Sequence, residues 1–236
     1  MSKTVLVVAG GETPTPHVLR ALPPAAMCIA ADSGLDHARA AGLVPDLAVG
    51  DFDSASPEAL TWARELGIPL EEHPAAKNQT DLELALDHAV AAEADRVVLA
   101  AFGGGRFDHL LANVAVIASP RYADVAVDGL VGTARVSVIH DDRTLDGRPD
   151  EVLSLLPVHG AAHGVTTDGL LYPLRGETLP AGTSRGVSNV FLGTEATVGL
   201  DDGILLAVQP DRLLDDGQGD GEGVPEAPPE PGVPVS

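Results

Sequence analysis

Short apolar runs alternate with helical patterns over the first half of the chain. The runs lie at 4–9, 27–31, 47–49 and 96–102. Segments with helical periodicity lie near 16–22, 34–41, 57–66, 80–92 and 107–118. Continuous apolar strands separated by helices are typical of a parallel sheet that helices cover on both faces. The pattern therefore predicts an α/β domain at the start of the chain.

Two of these helices have clear boundary signals. Ser56 followed by Pro57 indicates an N-cap and first turn, and Gly67 follows the end of the same segment. Thr80 and Glu83 have the spacing of a capping box, in which each residue satisfies the other's free backbone N–H. These signals predict helices that begin close to residues 57 and 81.

The pattern changes from about residue 123. Apolar runs now follow one another at close spacing, separated by turns rich in glycine and aspartate, which is typical of a small antiparallel sheet or sandwich. We predict an α/β domain over 1–145 and a smaller C-terminal antiparallel β-sandwich domain over 146–214. Residues 215–236 are rich in glycine, proline and acids, without apolar periodicity, and predict a disordered tail.

Composition excludes several classes of protein. The 236 residues carry a net charge of −21, from 14 basic and 35 acidic side chains, which argues against a general nucleic-acid surface or an acidic-membrane surface. Nucleotides stay possible, because a metal ion can mediate that contact. The single cysteine excludes an intramolecular disulfide and thiolate-cluster metal sites. With no signal peptide and no apolar stretch of about 18 residues, we expect a cytoplasmic enzyme or binding protein.

Two carboxylates, Asp51 and Asp53, follow the third apolar run in the sequence GDFDS. In an extended chain, residues two apart project to the same side, roughly 6–7 Å apart. The two charges would repel each other there, and a divalent cation such as Mg²⁺ would turn that repulsion into attraction. A turn that begins at Asp53, with Asp51 in solvent, is the alternative interpretation.

Two further segments are predicted to meet these acids. In doubly wound sheets, ligands bind outside the carboxyl ends of the strands, where Gly10–Gly11, ADSG, GDFDS and FGGGRFDH all follow apolar runs. KNQTD places Lys77, Thr80 and Asp81 at a helix start, although capping alone would explain Thr80 and Asp81. In GGGRFDH, glycine amides and Arg106 can receive an anion, but this loop is neither a Walker loop nor a Rossmann fingerprint.

Taken together, these motifs resemble those of the thiamine pyrophosphokinase family. The resemblance covers about residues 4–208 with order and spacing preserved. Its motifs are ADSG (31–34), PDLAVGDFDS (45–54), KNQTDLELAL (77–86), GGRFDHLLAN (104–113), TTDGLLYPL (166–174) and GVSN (186–189). The resemblance implies transfer of a pyrophosphoryl group from ATP to the hydroxyl of thiamine, with Mg²⁺, in a homodimer that binds thiamine near the interface.

The resemblance also implies roles for individual residues. Catalytic roles fall to Asp51, Asp53, Asp81, Arg106 and Asp108, of which the first three would hold Mg²⁺. ATP and its phosphates would be bound by Asp32, Lys77, Thr80, Arg106 and His109. Thiamine would be bound by Tyr172, Ser188 and Asn189. The chemistry of the transfer also needs an acid to accept the proton of the thiamine hydroxyl, for which Asp81 and Asp108 are the two candidates.

The chain departs from the family pattern mostly on the acceptor side. Tyr172 stands where tryptophan is frequent, and Val190 follows the Ser-Asn pair where glutamate is common. Two alternatives therefore stay open. One is a pyrophosphokinase for another alcohol, such as a hydroxymethylpterin, and the other is a non-catalytic sensor of a nucleotide or of thiamine diphosphate.

Overall fold

The computed structural model describes residues 2–213, so the tail predicted over 215–236 lies outside the described residues. The helices are α1 (Pro16–Ala21), α2 (Gly34–Ala40), α3 (Pro57–Leu66), α4 (Asp81–Ala91) and α5 (Phe107–Ile117). The first seven strands are β1 (Thr4–Val8), β2 (Met27–Ala31), β3 (Leu47–Gly50), β4 (Leu70–Glu72), β5 (Arg96–Ala100), β6 (Ala126–Val131) and β7 (Ala134–Ile139). The remaining strands are β8 (Arg143–Asp146), β9 (Val152–Asp168), β10 (Arg175–Leu179), β11 (Asn189–Val190), β12 (Glu195–Gly199) and β13 (Asp202–Gln209).

The first six strands form a parallel sheet in the order β4-β3-β2-β1-β5-β6. The predicted apolar runs and all five predicted helices are confirmed. Ser56 caps α3, whose C-cap is Gly67 in the left-handed conformation, and Thr80 and Glu83 form the predicted capping box of α4. β4 was not predicted, because its three residues, LEE, contain no apolar run.

The second half of the chain is antiparallel, as predicted. β7 pairs with β6 and β13, and β13 pairs in turn with the long strand β9. β9 also pairs with β10, β11 and β12. The α/β class with an antiparallel β part is thus confirmed, and the domain bounds at 145 and 214 stay predictions.

Separate apolar cores support the two parts. One lies between the parallel sheet and α4, with Ile29, Leu86 and Leu99 fully buried. Another lies within the antiparallel strands around Leu153, Leu155 and Phe191. Smaller clusters fill the space under α1, α2 and α3. Within residues 2–213, no helix is long and apolar enough to cross a membrane.

Candidate active site

The ends of β1, β2, β3 and β5 lie side by side at one edge of the sheet. A Cβ on Gly10 would lie 2.3 Å from Ser33 Oγ, and one on Gly50 would lie 3.2 Å from the Asp32 backbone. A Cβ on Gly11 would lie 2.3 Å from the carbonyl oxygen of Ala101. The glycines let the four strand-end loops pack against one another. The four loops therefore lie together at one edge of the sheet, as the sequence predicts.

Three of these loops carry a non-glycine residue in the left-handed backbone region. They are Asp32 with φ 49°, directly after β2, Phe52 with φ 55°, two residues after β3, and Ala101 with φ 56°, directly after β5. This conformation is unfavourable for residues with a Cβ, and such residues cluster at binding and catalytic sites. The strained residue turns the chain sharply where each of these strands leaves the sheet.

Asp32, Asp51 and Asp53 form a compact cluster of carboxylates. Each offers an oxygen, and these three oxygens lie within 4.8 Å of one another. The Asp53 N–H also donates to Asp51 Oδ1 at 3.3 Å. The sequence correctly predicted that Asp51 and Asp53 meet, but the extended geometry assumed for them was wrong. The left-handed Phe52 bends the chain and brings the two acids together in a turn.

The cluster has the electrostatics of a cation site. Burial raises the pKa of Asp32 above its usual value, and the charges of Asp81, Asp51 and Asp53 add to the effect. Asp32 Oδ1 is buried and has no hydrogen-bond partner among residues 2–213. An unsatisfied buried carboxylate oxygen is costly, and a cation bound there would offset that cost.

Lys77 lies between this cluster and the start of α4. Its Nζ is 3.3 Å from Asp51 Oδ2 and 3.0 Å from Asp81 Oδ1. Burial works to raise the pKa of Asp51, but the Asp53 N–H and the Lys77 ammonium outweigh it and hold that pKa below its usual value. Burial likewise works to lower the pKa of Lys77, and its two carboxylate partners hold it above its usual value. Asp81 thus contacts Lys77 and is not one of the three clustered acids.

The hydroxyl of Thr80 accepts from the Glu83 N–H at 3.2 Å, and the Glu83 carboxylate accepts from the Thr80 N–H at 3.1 Å. Both groups therefore serve the cap of α4, which fixes the position of the adjacent Asp81. The predicted contact between Thr80 and a phosphate stays a prediction.

The GGGRFDH loop lies two strands away from Asp32, about 10 Å across the sheet. Arg106 Nη2 pairs with Asp108 Oδ2 at 2.6 Å, and both side chains are about two-thirds exposed (70% and 65%). Arg106 lowers the pKa of Asp108 to about 2. His109 is exposed on the same turn. Asn113 Nδ2 donates to the Phe102 carbonyl at 2.8 Å, so this helix residue anchors the loop.

The three residues predicted to bind thiamine also lie together. Asn189 Oδ1 accepts from the Tyr172 N–H at 2.9 Å and from the Val190 N–H at 2.9 Å. Asn189 Nδ2 donates to the Tyr172 carbonyl at 2.8 Å. Ser188 is exposed, with φ 59°. Among the described residues, no hydrogen bond or ion pair joins these three residues to the acid cluster.

One residue at the edge was missed by the sequence analysis. Glu12 lies against the GGGRFDH loop, where its Oε1 accepts from the Gly105 N–H at 3.1 Å. The available signal was its position. Glu12 lies two residues after Gly10, which follows the first apolar run, and the end of that run lies at the same edge of the sheet as the other strand ends.

Comparison with known proteins agrees with this geometry. The family model described as "Thiamin pyrophosphokinase, catalytic domain" matches residues 19–127. The model described as "Thiamin pyrophosphokinase, vitamin B1 binding domain" matches residues 138–205. The acid cluster lies in the first range, and Tyr172, Ser188 and Asn189 lie in the second.

Bacterial relatives match over nearly their whole length. The thiamine pyrophosphokinase of Bacillus subtilis (strain 168) is 28% identical over 211 residues, which are 88% of this chain and 98% of the relative. The crystal structure of thiamine pyrophosphokinase from Bacillus subtilis superposes with a TM-score of 0.77 at 25% identity, covering 88% of this chain and 98% of that one. A thiamin pyrophosphokinase family protein from Enterococcus faecalis gives a TM-score of 0.73 at 29% identity, with coverage of 88% and 98%. Both family models, the strand-end acids and these relatives agree that the chain belongs to the thiamin pyrophosphokinase family.

Proposed function

We propose that this protein transfers the pyrophosphoryl group of ATP to the hydroxyl of thiamine, giving thiamine diphosphate and AMP. The observation that carries the proposal is the cluster of Asp32, Asp51 and Asp53 at the strand-end edge, inside the range matched by the catalytic family model. Neither another acceptor alcohol nor a non-catalytic sensor is favoured by the family that the chain matches.

The cluster fits Mg²⁺. Three carboxylate oxygens lie close together, Oδ1 of Asp32 is buried without a partner among residues 2–213, and Mg²⁺ binds carboxylates together with phosphate oxygens. Asp51 and Asp53, with Asp32, would hold the ion, and bound Mg²⁺ would neutralise charge on the phosphates of ATP. Asp81, predicted from the sequence as a third ligand, pairs with Lys77, and its role as a ligand stays a prediction.

The chain's cationic and amide groups would bind the rest of the triphosphate. Attack at the β-phosphorus expels AMP, so negative charge develops on the leaving oxygen and around the reacting phosphorus. Lys77 lies beside the acids, and Arg106 with the glycine amides lies about 10 Å across the sheet. Groups on both sides of β1 would therefore hold an extended triphosphate in line for attack.

The proton of the thiamine hydroxyl needs an acceptor, for which the sequence left Asp81 and Asp108 open. Asp108 lies with Arg106 in the GGGRFDH loop after β5, two strands away from Asp32. Asp81 lies at the N-terminus of α4 beside the acid cluster. We therefore assign the proton to Asp81.

The thiamine site is proposed to lie at a homodimer interface. Eight of the eleven residues of α5 are apolar, and yet the exposed fractions of Phe107 and Leu111 are 71% and 54%. An uncovered apolar helix face is typical of a protein–protein contact. This face begins at the GGGRFDH loop, so a second copy docked on α5 would bring its own surface to the active-site edge. The cytoplasmic location stays a prediction.

A product assay tests the proposed function. Protein incubated with ATP, Mg²⁺ and thiamine should form AMP and thiamine diphosphate in equal amounts. Formation of ADP would contradict pyrophosphoryl transfer, and faster turnover of a hydroxymethylpterin than of thiamine would contradict the acceptor. Binding of ATP without turnover, indifferent to Mg²⁺, would indicate a sensor instead.

A further inference from the structure

Two anion-binding groups of the GGGRFDH loop are engaged by carboxylates of the chain itself. The Gly105 N–H donates to Glu12 Oε1 at 3.1 Å, and Arg106 pairs with Asp108 at 2.6 Å. Gly104 and Gly105 have φ values of 85° and 63°. A turn of this kind directs backbone N–H groups toward an anion, and in this structure the anion is a glutamate side chain.

Glu12 is held against the loop by its backbone. The Gly11 N–H donates to the Ala101 carbonyl at 2.7 Å, and the Glu12 N–H donates to the Gly103 carbonyl at 3.0 Å. A Cβ on Gly104 would lie 2.3 Å from Glu12 Cγ and Cδ, so the side chain packs directly on the glycine. The position of Glu12 is therefore fixed by the same strand-end packing that builds the site.

We propose that Glu12 is an internal competitor for the phosphates of the nucleotide and so sets the affinity for ATP. This inference rests on the proposed function, because that function places ATP phosphates at the loop. A phosphate oxygen that accepts from the Gly105 N–H must displace the Glu12 carboxylate, because two anions cannot share one donor at close range. Loss of the glutamate charge should therefore strengthen nucleotide binding, although the residue lies within the site.

The test is the affinity of the protein for α,β-methylene-ATP in the presence of Mg²⁺, measured by isothermal titration calorimetry. This analogue replaces the bridging oxygen of the bond that the proposed reaction breaks, so binding is measured without turnover. Glu12→Gln should bind it about tenfold more tightly than the wild type, which corresponds to about 1.4 kcal/mol. Glu65→Gln, on the exposed surface of α3, is the matched control and should bind like the wild type.

A second variant separates competition from support of the loop. Glu12→Ala removes both the charge and the hydrogen bond, so tighter binding in both Glu12 variants supports competition. Unchanged or weaker binding in Glu12→Gln, with a thermal unfolding midpoint like that of the wild type, overturns the inference and leaves the proposed function standing. A wild type that binds no analogue at all overturns both.

Discussion

The Lys77 ammonium lies 3.3 Å from Asp51 Oδ2, and the same ammonium lies 3.0 Å from Asp81. The side chains of Lys77 and Asp51 are largely buried, with exposed fractions of 14% and 16%. Lys77 therefore places a positive charge beside the acid cluster. The stability of the metal-free protein should therefore depend on Lys77, which is also a residue of the proposed phosphate site.

Lys77→Met should destabilise the metal-free protein and increase its response to Mg²⁺. Without the ammonium, Asp51 and Asp81 lose their partner, at a cost of about 1–3 kcal/mol, between the values for exposed and buried pairs. For a chain of this length we expect the thermal midpoint to fall by about 3–9 °C. Added MgCl₂ should recover more of the midpoint in the variant than it adds to the wild type.

Arg121→Met is the control for Lys77, because Arg121 also pairs with a carboxylate, that of Asp87, but is itself more than half exposed. That variant should change the midpoint little and leave the Mg²⁺ response unchanged. Equal Mg²⁺ responses in the Lys77 variant and the wild type, measured by differential scanning calorimetry, would contradict the role given to Lys77.

Asp51→Asn and Asp53→Asn should each abolish turnover while leaving the fold intact. Each change removes a charge from the proposed metal site, and we expect kcat/KM to fall by at least about 10²-fold. Circular dichroism should match the wild type, because a carboxamide fits the same space with less repulsion. Asp124→Asn, at an exposed position, is the control and should keep full activity. Wild-type rates of AMP release in either variant would mean that the pair does not hold the metal.

Sequence patterns predicted most of the strands and helices, because buried parallel strands need uninterrupted apolar residues. They failed at β4, which pairs with β3 through Val49 and Glu71. The extended conformation of β4 depends on this pairing more than on the residues of β4 itself. They predicted that Asp51 and Asp53 meet, but could not predict the left-handed Phe52 that brings them together. Such a conformation depends on packing from outside the segment.

Contacts between distant parts of the chain were the least predictable. The bond between Glu12 and Gly105 joins residues 93 positions apart, and no local pattern indicates it. Asn189 was predicted to meet thiamine, but its amide is engaged by the Tyr172 backbone. The site is thus predictable as a set of strand-end residues, whereas the partner of each side chain depends on the folded chain.

Asn189→Ala should weaken thiamine binding without affecting the nucleotide. The buried amide makes hydrogen bonds to both backbone groups of Tyr172, so its loss releases the segment that carries this aromatic ring. We expect the KM for thiamine to rise about tenfold or more, and the free energy of unfolding to fall by about 2–4 kcal/mol. Steady-state kinetics with each substrate varied in turn provides the measurement.

Asn113→Ala is the reciprocal variant, because its amide anchors the Phe102 carbonyl beneath the glycine loop. It should raise the KM for ATP more than the KM for thiamine. If the two variants raise the same KM, the separation of the two substrate sites is wrong.

Leu111→Glu should convert a dimer into a monomer. The substitution places a charge in the middle of the exposed apolar face of α5, where desolvation on docking would be unfavourable. Sedimentation equilibrium should give a dimer mass for the wild type and a monomer mass for the variant. Val44→Glu alters another exposed apolar side chain, outside α5, and should stay dimeric. A monomeric wild type would exclude the proposed interface.

Asp128 should make the protein sensitive to acid. Its buried carboxylate accepts from Arg96, Arg143 and Ser137, at 2.7, 2.7 and 2.5 Å. Burial works to raise the pKa of Asp128, but Arg143 and Arg135 above all outweigh it and hold that pKa below its usual value. A lowered pKa stabilises the folded state above the usual value near 4, and this contribution is lost as the pH falls through the lowered pKa.

Asp128→Asn should therefore cost about 3–5 kcal/mol at neutral pH, since it leaves buried guanidinium groups without their counter-charge. The difference in unfolding free energy between wild type and variant should shrink as the pH falls below about 4, because the wild type then protonates the same group. Urea titrations at a series of pH values measure this difference, with Asp124→Asn as the exposed control. A difference that stays constant from neutral pH to pH 2 would show that packing, and not charge, makes Asp128 stabilising.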